Sequence, residues 1–483
     1  MIDLRPVLFV VGVLLCTLGT AMLFPAAIDA AYEDLDWHVF VYSSALTTFI
    51  GGSLILSMRG TGHQALGLRS AFILTVLSWT LVSLFAAIPL WFSNLGLDLA
   101  DAVFEAVSGI TTTGSTVLTN LDSVHRGILL WRSILQWIGG IGIIFTAIAL
   151  LPLLQIGGMQ LFHTESSDRS EKLFPRLQKV ADAVVSIYAG MTIICALALW
   201  GAGMGFFDAI NHAMTTLSTG GFSTHDASIA YYNSKLIEGI VLVFMLAGGI
   251  TFTLHVRALH RGPSEYVKDE QVRGYIALIV VATLVITAWL MLTNGVTALR
   301  ALRLAAFNVV SVVTTTGFAS SDYLLWGAFP IAAFYFLTFV GGCTGSTSGA
   351  IKIFRFQVIY SVARQQLFRL LAPHRITIAR VLDKEIDAAT AVSVLGFFFF
   401  YVGTFAVLSL ALSLFGLDVV TSLSAAATAV GNVGPGLGEI IGPSGNFAGV
   451  HDGAKWLLSV GMLLGRLEFV TAFVLLAPAF WRE

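Results

Sequence analysis

Ten apolar runs, each long enough to cross a lipid bilayer, divide this chain of 483 residues at roughly 6–29, 38–58, 70–92, 128–155, 179–203, 236–258, 274–296, 328–359, 386–416 and 454–480. About 20 residues cover ~30 Å of hydrocarbon at 1.5 Å per residue. With 57% of residues apolar and 11% charged, against ~45–50% and ~25% in soluble chains, a water-soluble fold is excluded. No hydrophilic block is large enough for a separate catalytic domain, so the chain reads as an all-α polytopic membrane protein. The first run follows Arg5 as a signal peptide would, yet it fills a whole span and no A-x-A site follows it. Cys16, Cys195 and Cys343 stand singly with no CxxC pair, so neither a disulfide framework nor a zinc site is proposed.

An even number of spans puts both termini on one side. Of the 26 basic residues, 19 fall in the segments that include the termini and six in the opposite set, so the termini are expected to be cytoplasmic. Of the 28 acids, 15 fall outside, among them Asp29, Glu33, Asp34, Asp36, Asp101, Glu105, Asp208 and Asp418. Such an excess is expected to make a negative outer mouth that raises the local cation concentration. A net charge of -2 gives no reason to expect nucleic acid as a partner.

Four short segments on the outer side, each too short to span, repeat one pattern of small and hydroxylated residues ending in glycine. They are AVFEAVSGITTTGST from Ala102, AINHAMTTLSTGGFST from Ala209, AFNVVSVVTTTGFAS from Ala305 and TSLSAAATAVGNVGPG from Thr421. Aligned at their ends they superpose Thr113 and Gly114, Gly220 and Gly221, Thr316 and Gly317, Val433 and Gly434, with intervals of 107, 96 and 117 residues. The following span carries a second motif each time: Gly139-Gly140, Gly248-Gly249, Gly341-Gly342 and Gly465-Arg466. The unit is span, re-entrant segment, span. The expected division is 1–69 as an extra helix pair, then four units at 70–178, 179–272, 273–384 and 385–483.

Non-helical backbone inside a membrane is tolerated where it lines a watery cavity. A helix that enters from outside and stops halfway aims its carbonyl end at the bilayer centre, and extended residues beyond it can replace a cation's water shell with C=O groups. Glycine suits the turning point because it accepts positive φ and has no side chain to plug the hole. Four such segments in parallel fit a central pore better than an alternating-access carrier, which more commonly shows inverted two-fold repeats.

With two segments ending TTTG, one TGGF and one GNVGPG, together with HTESSDRSEKLFPR at 163–176 and GGCTGSTSGAIK at 341–352, the chain resembles the Trk/Ktr/HKT superfamily of cation-translocating subunits, most nearly its TrkH type. The resemblance covers almost the whole chain. It implies potassium uptake across the bacterial cytoplasmic (inner) membrane through a pore built like a tetrameric potassium channel in one chain. It also implies a homodimer and a cytosolic ring of nucleotide-binding, RCK-type regulatory subunits, with K+ as the transported ion and no organic cofactor. The filter is assigned to Thr112, Thr113 and Gly114; Thr219, Gly220 and Gly221; Thr315, Thr316 and Gly317; and Asn432, Val433 and Gly434, with K+ held at the first two positions of each. Glycine at all four final positions favours potassium, serine at the first being associated with sodium in the family. None of the four is a full TVGYG, so weaker selectivity than in a potassium channel is expected.

From Gly341 to Gly349 the third unit reads GGCTGSTSG, a poor helix at ~1 kcal/mol per glycine with hydroxyls competing for backbone bonds. An irregular intramembrane loop at 341–351 is expected, involving Gly341, Gly342, Gly345, Ser346, Thr347, Ser348 and Gly349, with Lys352 as its anchor; in the family it corresponds to the loop that blocks the closed pore. Arg466 stands where the other units have glycine, and a charge deep in a span needs water or a partner. It is expected to set a positive barrier below the filter, to bond carbonyls of the loop, or both, while pairing with Glu468 is disfavoured by i, i+2 geometry. Two other readings compete: a sodium/potassium or proton-coupled symporter of the same fold, with Glu468 and Asp182 as candidate relay acids, and an intramembrane protease using Ser346 or Ser348 with His212 or His225. For the last, no fixed spacing links serine to histidine.

Overall fold

The computed structural model describes residues 3–34, 36–59, 67–147, 173–372, 378–381 and 384–482, without the side chains of 173–178 and 384. Residues 163–172 of the basic segment therefore lie outside the described residues. The chain is helical almost throughout, and the strands among the described residues are the two-residue pair Arg380–Val381 and Lys384–Glu385.

Among the described residues seven helices are long and apolar enough to cross a membrane, or nine if each of two bent pairs counts as one span. The seven are Arg5–Ala31, Trp37–Ser57, Leu68–Trp91, Arg126–Phe145, Lys179–Gly201, Glu270–Thr293 and Ala388–Ser413. Two expected continuous spans, 236–258 and 454–480, are in fact broken: Lys235–Gly248 meets Phe252–Arg261 at 98°, and Asp452–Arg466 meets Val470–Leu476 at 110°. The third-unit span is interrupted between Ala328–Leu337 and Ile353–Leu371, where the glycine-rich run was expected to break it.

The breaks fall at the second glycine motif, and packing explains its recurrence. A Cβ at Gly139, Gly248 or Gly465 would crowd the carbonyl oxygen of Ile110, Leu217 or Val430, the last or penultimate residue of the preceding short helix. Glycine thus lets each second span lie against the end of its own short helix. A Cβ at Gly140 or Gly249 would meet Ser218 or Thr314, which directly follow the short helix of the next unit.

The N-terminal pair meets at glycines as well. Gly12 and Gly51 each stand against the other's carbonyl oxygen, with room for no Cβ, and Ser44 Oγ donates to Gly19 O at 2.6 Å. Close backbone approach of this kind drives helix association in lipid, where apolar burial does not.

The four short helices are Leu99–Ile110, Phe206–Leu217, Ala298–Val313 and Val419–Gly431. At 1.5 Å per residue they reach about 18–24 Å, too short to cross. Asp98 and Asp418 cap the first and fourth by accepting backbone N–H bonds. The fourth unit packs back on the first: the Phe104 and Phe447 rings meet at a tilt of 38° with centroids 5.3 Å apart, and Phe447 N–H donates to Thr116 O at 2.8 Å. That contact closes the units into a ring.

Candidate functional site

Each short helix ends in the same three-residue turn. Thr112, Thr219, Thr315 and Asn432 have φ of 55°, 52°, 58° and 52°, and Gly114, Gly221, Gly317 and Gly434 have 87°, 75°, 81° and 105°. The residue between keeps negative φ. The backbone bonds repeat too: the N–H of the middle residue, Thr113, Gly220, Thr316 or Val433, donates to the carbonyl five residues back at 2.9, 2.9, 2.8 and 3.0 Å. Left-handed φ at a β-branched residue costs ~1–2 kcal/mol, and three threonines carry it at equivalent points. Strain repeated in this way marks a site whose backbone direction matters. Alternating the hand of successive residues turns their carbonyls to the same side, the arrangement that lets C=O groups replace water around a cation.

The turns close on one another. A Cβ on Gly114 would overlap the Gly220 carbonyl, one on Gly221 the Thr316 carbonyl, one on Gly317 the Val433 carbonyl, and one on Gly434 would stand 2.8 Å from the Thr113 carbonyl. Each final glycine therefore packs on the middle carbonyl of the next unit, in cyclic order. All twelve residues assigned from sequence meet here, every one of the threonines buried.

The turns are braced differently. Thr111 Oγ1 bonds Thr113 Oγ1, and Thr314 Oγ1 bonds Thr316 Oγ1, both at 2.7 Å. Asn432 Nδ2 donates to Thr113 Oγ1 and to Met462 O, each at 2.9 Å. The second turn has no such hydroxyl at Gly220; instead Gln136 Nε2 donates to Gly220 O at 2.7 Å and Gln136 Oε1 accepts from Phe222 N at 3.0 Å. Gln136 was not singled out in the sequence, although an amide inside an apolar span is itself a signal.

One turn before Gln136, Arg132 Nε donates to Glu105 Oε1 at 2.7 Å and Nη1 to Ser223 O at 3.0 Å. Both side chains are buried, 1% and 0% exposed, and Glu105 also accepts from Val117 N at 2.9 Å. Glu105, expected among the acids of the outer side, is thus held in a buried ion pair and is not a solvated charge. Other outer acids are likewise engaged: Asp29 accepts from Gly127 N at 2.5 Å, Asp36 from Asn94 Nδ2 at 2.7 Å, Asp34 faces His125 at 3.0 Å, and Asp101 pairs with Lys455 at 2.5 Å. Desolvation makes a carboxylate near the membrane seek a partner, so these acids also hold loops together.

Below the turns lies the interrupted span of the third unit. A bridge between Val340 and Ile351 closes the neck of the loop, with Gly341 N–H donating to Ile351 O at 2.9 Å. Inside it, Gly342 N donates to Ser348 Oγ at 2.9 Å, Ser346 Oγ bonds Ser348 Oγ at 2.9 Å, and Phe252 N donates to Gly345 O at 3.1 Å. The loop reaches up to the turns: Gly349 N donates to Thr315 Oγ1 at 2.7 Å, and Thr219 Oγ1 donates to Thr347 Oγ1 at 3.1 Å.

Lys352 Nζ bonds Ser348 O, and Arg466 Nη1 donates to Thr347 O at 3.0 Å. Both basic residues are buried and line the same small cavity with Ser348, Asn432 and Glu468, about 20 Å³ in volume. A single water needs ~10–15 Å³ on that measure, so this cavity holds no more than a water or two. Glu468 pairs with Arg355, whose guanidinium lies 3.7 Å over the Phe397 ring, and not with Arg466. Arg355 was not singled out from sequence. Glu468 is thereby committed to an ion pair, and Asp182 is exposed. His212 Nε2 bonds Ser223 Oγ at 3.0 Å and His225 pairs with Asp122, so neither meets Ser346 or Ser348.

Residues 38–482 match the TrkH family, described as cation transport protein. The chain is 47% identical over 481 residues to the Trk system potassium uptake protein TrkI of Halomonas elongata, covering 99% of this chain and 97% of that one. It is 37% identical over 487 residues to the TrkH protein of the Trk potassium uptake system of Escherichia coli K12, with 99% of each chain covered. The crystal structure of the potassium transporter TrkH from Vibrio parahaemolyticus superposes with a TM-score of 0.92 at 37% identity, covering all of both chains.

Proposed function

Because the chain belongs to the TrkH family of cation transport proteins, we propose that it carries potassium into the cell through the ring of four turns. The observation that carries this reading is the cyclic contact of each final glycine with the middle carbonyl of the next unit. Four inward-facing strands of carbonyls can exchange a cation's hydration shell for protein oxygens at little cost, while larger departures from that spacing leave a smaller ion under-coordinated. In this reading K+ is held by Thr112, Thr113, Thr219, Gly220, Thr315, Thr316, Asn432 and Val433.

The loop at 341–351 is the gate. Its bonds to Thr219 and Thr315 and the small cavity beneath the filter support a closed pore. Gly341, Gly342, Gly345 and Gly349 allow it to refold, Ser346, Thr347, Ser348 and Lys352 hold it closed, and Arg466 adds a positive barrier. Outside this region the reading extends to a homodimer in the bacterial inner membrane with both termini cytoplasmic, to the division into a helix pair at 1–69 and four units, and to a cytosolic RCK-type ring acting on the gate through the basic segment 352–384 and its neighbouring loops.

Reversal potentials of the purified protein in opposed K+ and Na+ gradients test the filter; equal permeability to both ions would remove it. Deletion of residues 345–349 tests the gate. Basal K+ flux is expected to rise, and an unchanged or smaller flux would show that the loop does not close the pore.

A further inference from the structure

Within the proposed filter the second turn is the odd member. The first and third turns carry threonine at the middle position, each hydroxyl braced by a threonine two residues earlier, and the fourth carries valine. The second carries Gly220, which has no side chain to brace and the widest backbone freedom of any residue. Its carbonyl nonetheless holds the same place in the ring as those of Thr113, Thr316 and Val433, against the preceding unit's glycine.

What holds it there is Gln136. The side chain is fully buried. Its amide nitrogen donates to Gly220 O at 2.7 Å and its amide oxygen accepts from Phe222 N at 3.0 Å, so one planar group spans the turn from behind. A Cβ at Gly220 would lie against the Gln136 amide carbon, oxygen and nitrogen. Glycine at 220 and glutamine at 136 therefore fit one space. Three residues before the first glycine of the motif, the other units have Met245, Thr338 and Met462, and Thr338 bonds its own helix at Phe334 O. In the fourth unit the second span contributes only the backbone Met462 O, which accepts from Asn432 Nδ2 at 2.9 Å, so a brace by the side chain at this position is particular to the first unit.

We infer that Gln136 is the positioning residue for ion selectivity in the second filter segment, supplying from the neighbouring unit the support that threonine side chains supply in the first and third. The inference rests on the proposed filter. Without the amide, the Gly220 carbonyl loses its donor and the Phe222 N–H its acceptor, and the peptide that carries this oxygen is left with the 3.4 Å bond from Gly221 N–H to Thr215 O, so the ring loses one firmly held oxygen. A ring with one mobile oxygen adapts to a smaller cation, and discrimination falls while conduction persists. The fold-change expected is that of one hydrogen bond, roughly three- to tenfold.

Reversal potentials in proteoliposomes provide the test, with Gly114→Ser as the control for the filter itself. Gln136→Leu, which fills the space and admits no water, is expected to lower the K+ to Na+ permeability ratio roughly three- to tenfold with K+ flux retained. Gln136→Met, matching Met245 and Met462, is the gentler second variant should the leucine protein aggregate, and the same loss is expected. Gly220→Thr alone is also expected to lose selectivity, because its side chain overlaps Gln136. The double variant Q136A/G220T places a threonine in the vacated space and should return the ratio to within about twofold of wild type, a rescue that a merely space-filling role for Gln136 would not produce. An unchanged ratio in Gln136→Leu or Gln136→Met beside a shifted ratio in Gly114→Ser overturns the inference and leaves the filter standing. An unchanged ratio in Gly114→Ser as well overturns both.

Discussion

Arg466 Nη1 donates to the Thr347 carbonyl oxygen at 3.0 Å, joining the cation in the fourth unit's second span to the interrupted span of the third. The two sequence expectations for Arg466, a positive barrier and a clasp on the loop, are compatible in this geometry, because the residue lines the cavity and binds the loop at once. The place it occupies belongs to a glycine in the other units, and the backbone breaks just after it.

Replacing Arg466 by Gln should therefore raise basal K+ flux. A unit charge roughly 8 Å from a passing cation costs about 2 kcal/mol at an effective dielectric of about 20, so a rise of about tenfold or more is expected in proteoliposomes. Arg466→Lys keeps the charge and loses the fork, and it should leave flux nearer to wild type; equal fluxes in the two variants would separate the barrier from charge.

The four turn glycines should tolerate alanine unequally. At Gly434 a Cβ would stand 2.8 Å from the Thr113 carbonyl, while at Gly114, Gly221 and Gly317 it would overlap the facing carbonyl more closely. Gly434→Ala is expected to be the mildest of the four. Gly114→Ser should shift permeability toward Na+ roughly tenfold, or about 1.4 kcal/mol, since the serine must push the Gly220 carbonyl out of the ring. Bi-ionic reversal potentials read the order directly.

Breaking the buried Arg132 and Glu105 pair on one side should be more costly than removing both. A buried charge left without its partner costs ~3–5 kcal/mol, so Glu105→Gln and Arg132→Met are each expected to lower the thermal midpoint strongly. The double variant should be less stable than wild type but more stable than the sum of the two changes. Strict additivity in the thermal double-mutant cycle would mean that the pair does not act as one.

The loop around His225 should loosen as pH rises. Burial pushes His225 down, but the facing carboxylates of Asp208 at 3.6 Å and of Asp122 carry it above its ordinary value. A raised value means the stabilisation is complete below about pH 6.5, the unfolded value, and is lost as pH climbs through the folded one. Amide exchange of residues 225–232 is expected to quicken over that range in the wild type and to become pH-independent, after correction for intrinsic rates, in His225→Asn.

The positions of the four turns and of the glycine-rich loop are legible in the amino-acid sequence. The TTTG-like endings mark all four turns because the requirement is local: a left-handed residue, a small residue beyond it, and a short helix ahead. The loop at 341–349 was legible for the same reason, since nine small residues in a row cannot hold a helix. The breaks near Gly249 and Glu468 were not, because a pair of glycines in an apolar run reads equally well as helix packing, and at Gly139-Gly140 the same motif sits in an unbroken helix. The pairing of Arg132 with Glu105 was not legible either, because charge sorting assigns residues to sides of a membrane and says nothing of partners 27 positions apart.

The amino-acid sequence by itself determined that the chain lives in a bilayer, that one unit is used four times, and which residues end each short helix, because these follow from apolar length, repetition and backbone preference along the chain. Tertiary structure alone decided which glycine faces which carbonyl, that Arg466 reaches Thr347 while Glu468 turns to Arg355, and that Gln136 braces Gly220. The three side-chain bonds join residues 84 to 119 positions apart, and Gly434 faces a carbonyl 321 positions before it. In the dry interior each polar group must find a partner, and which partner is within reach is a matter of how the helices pack.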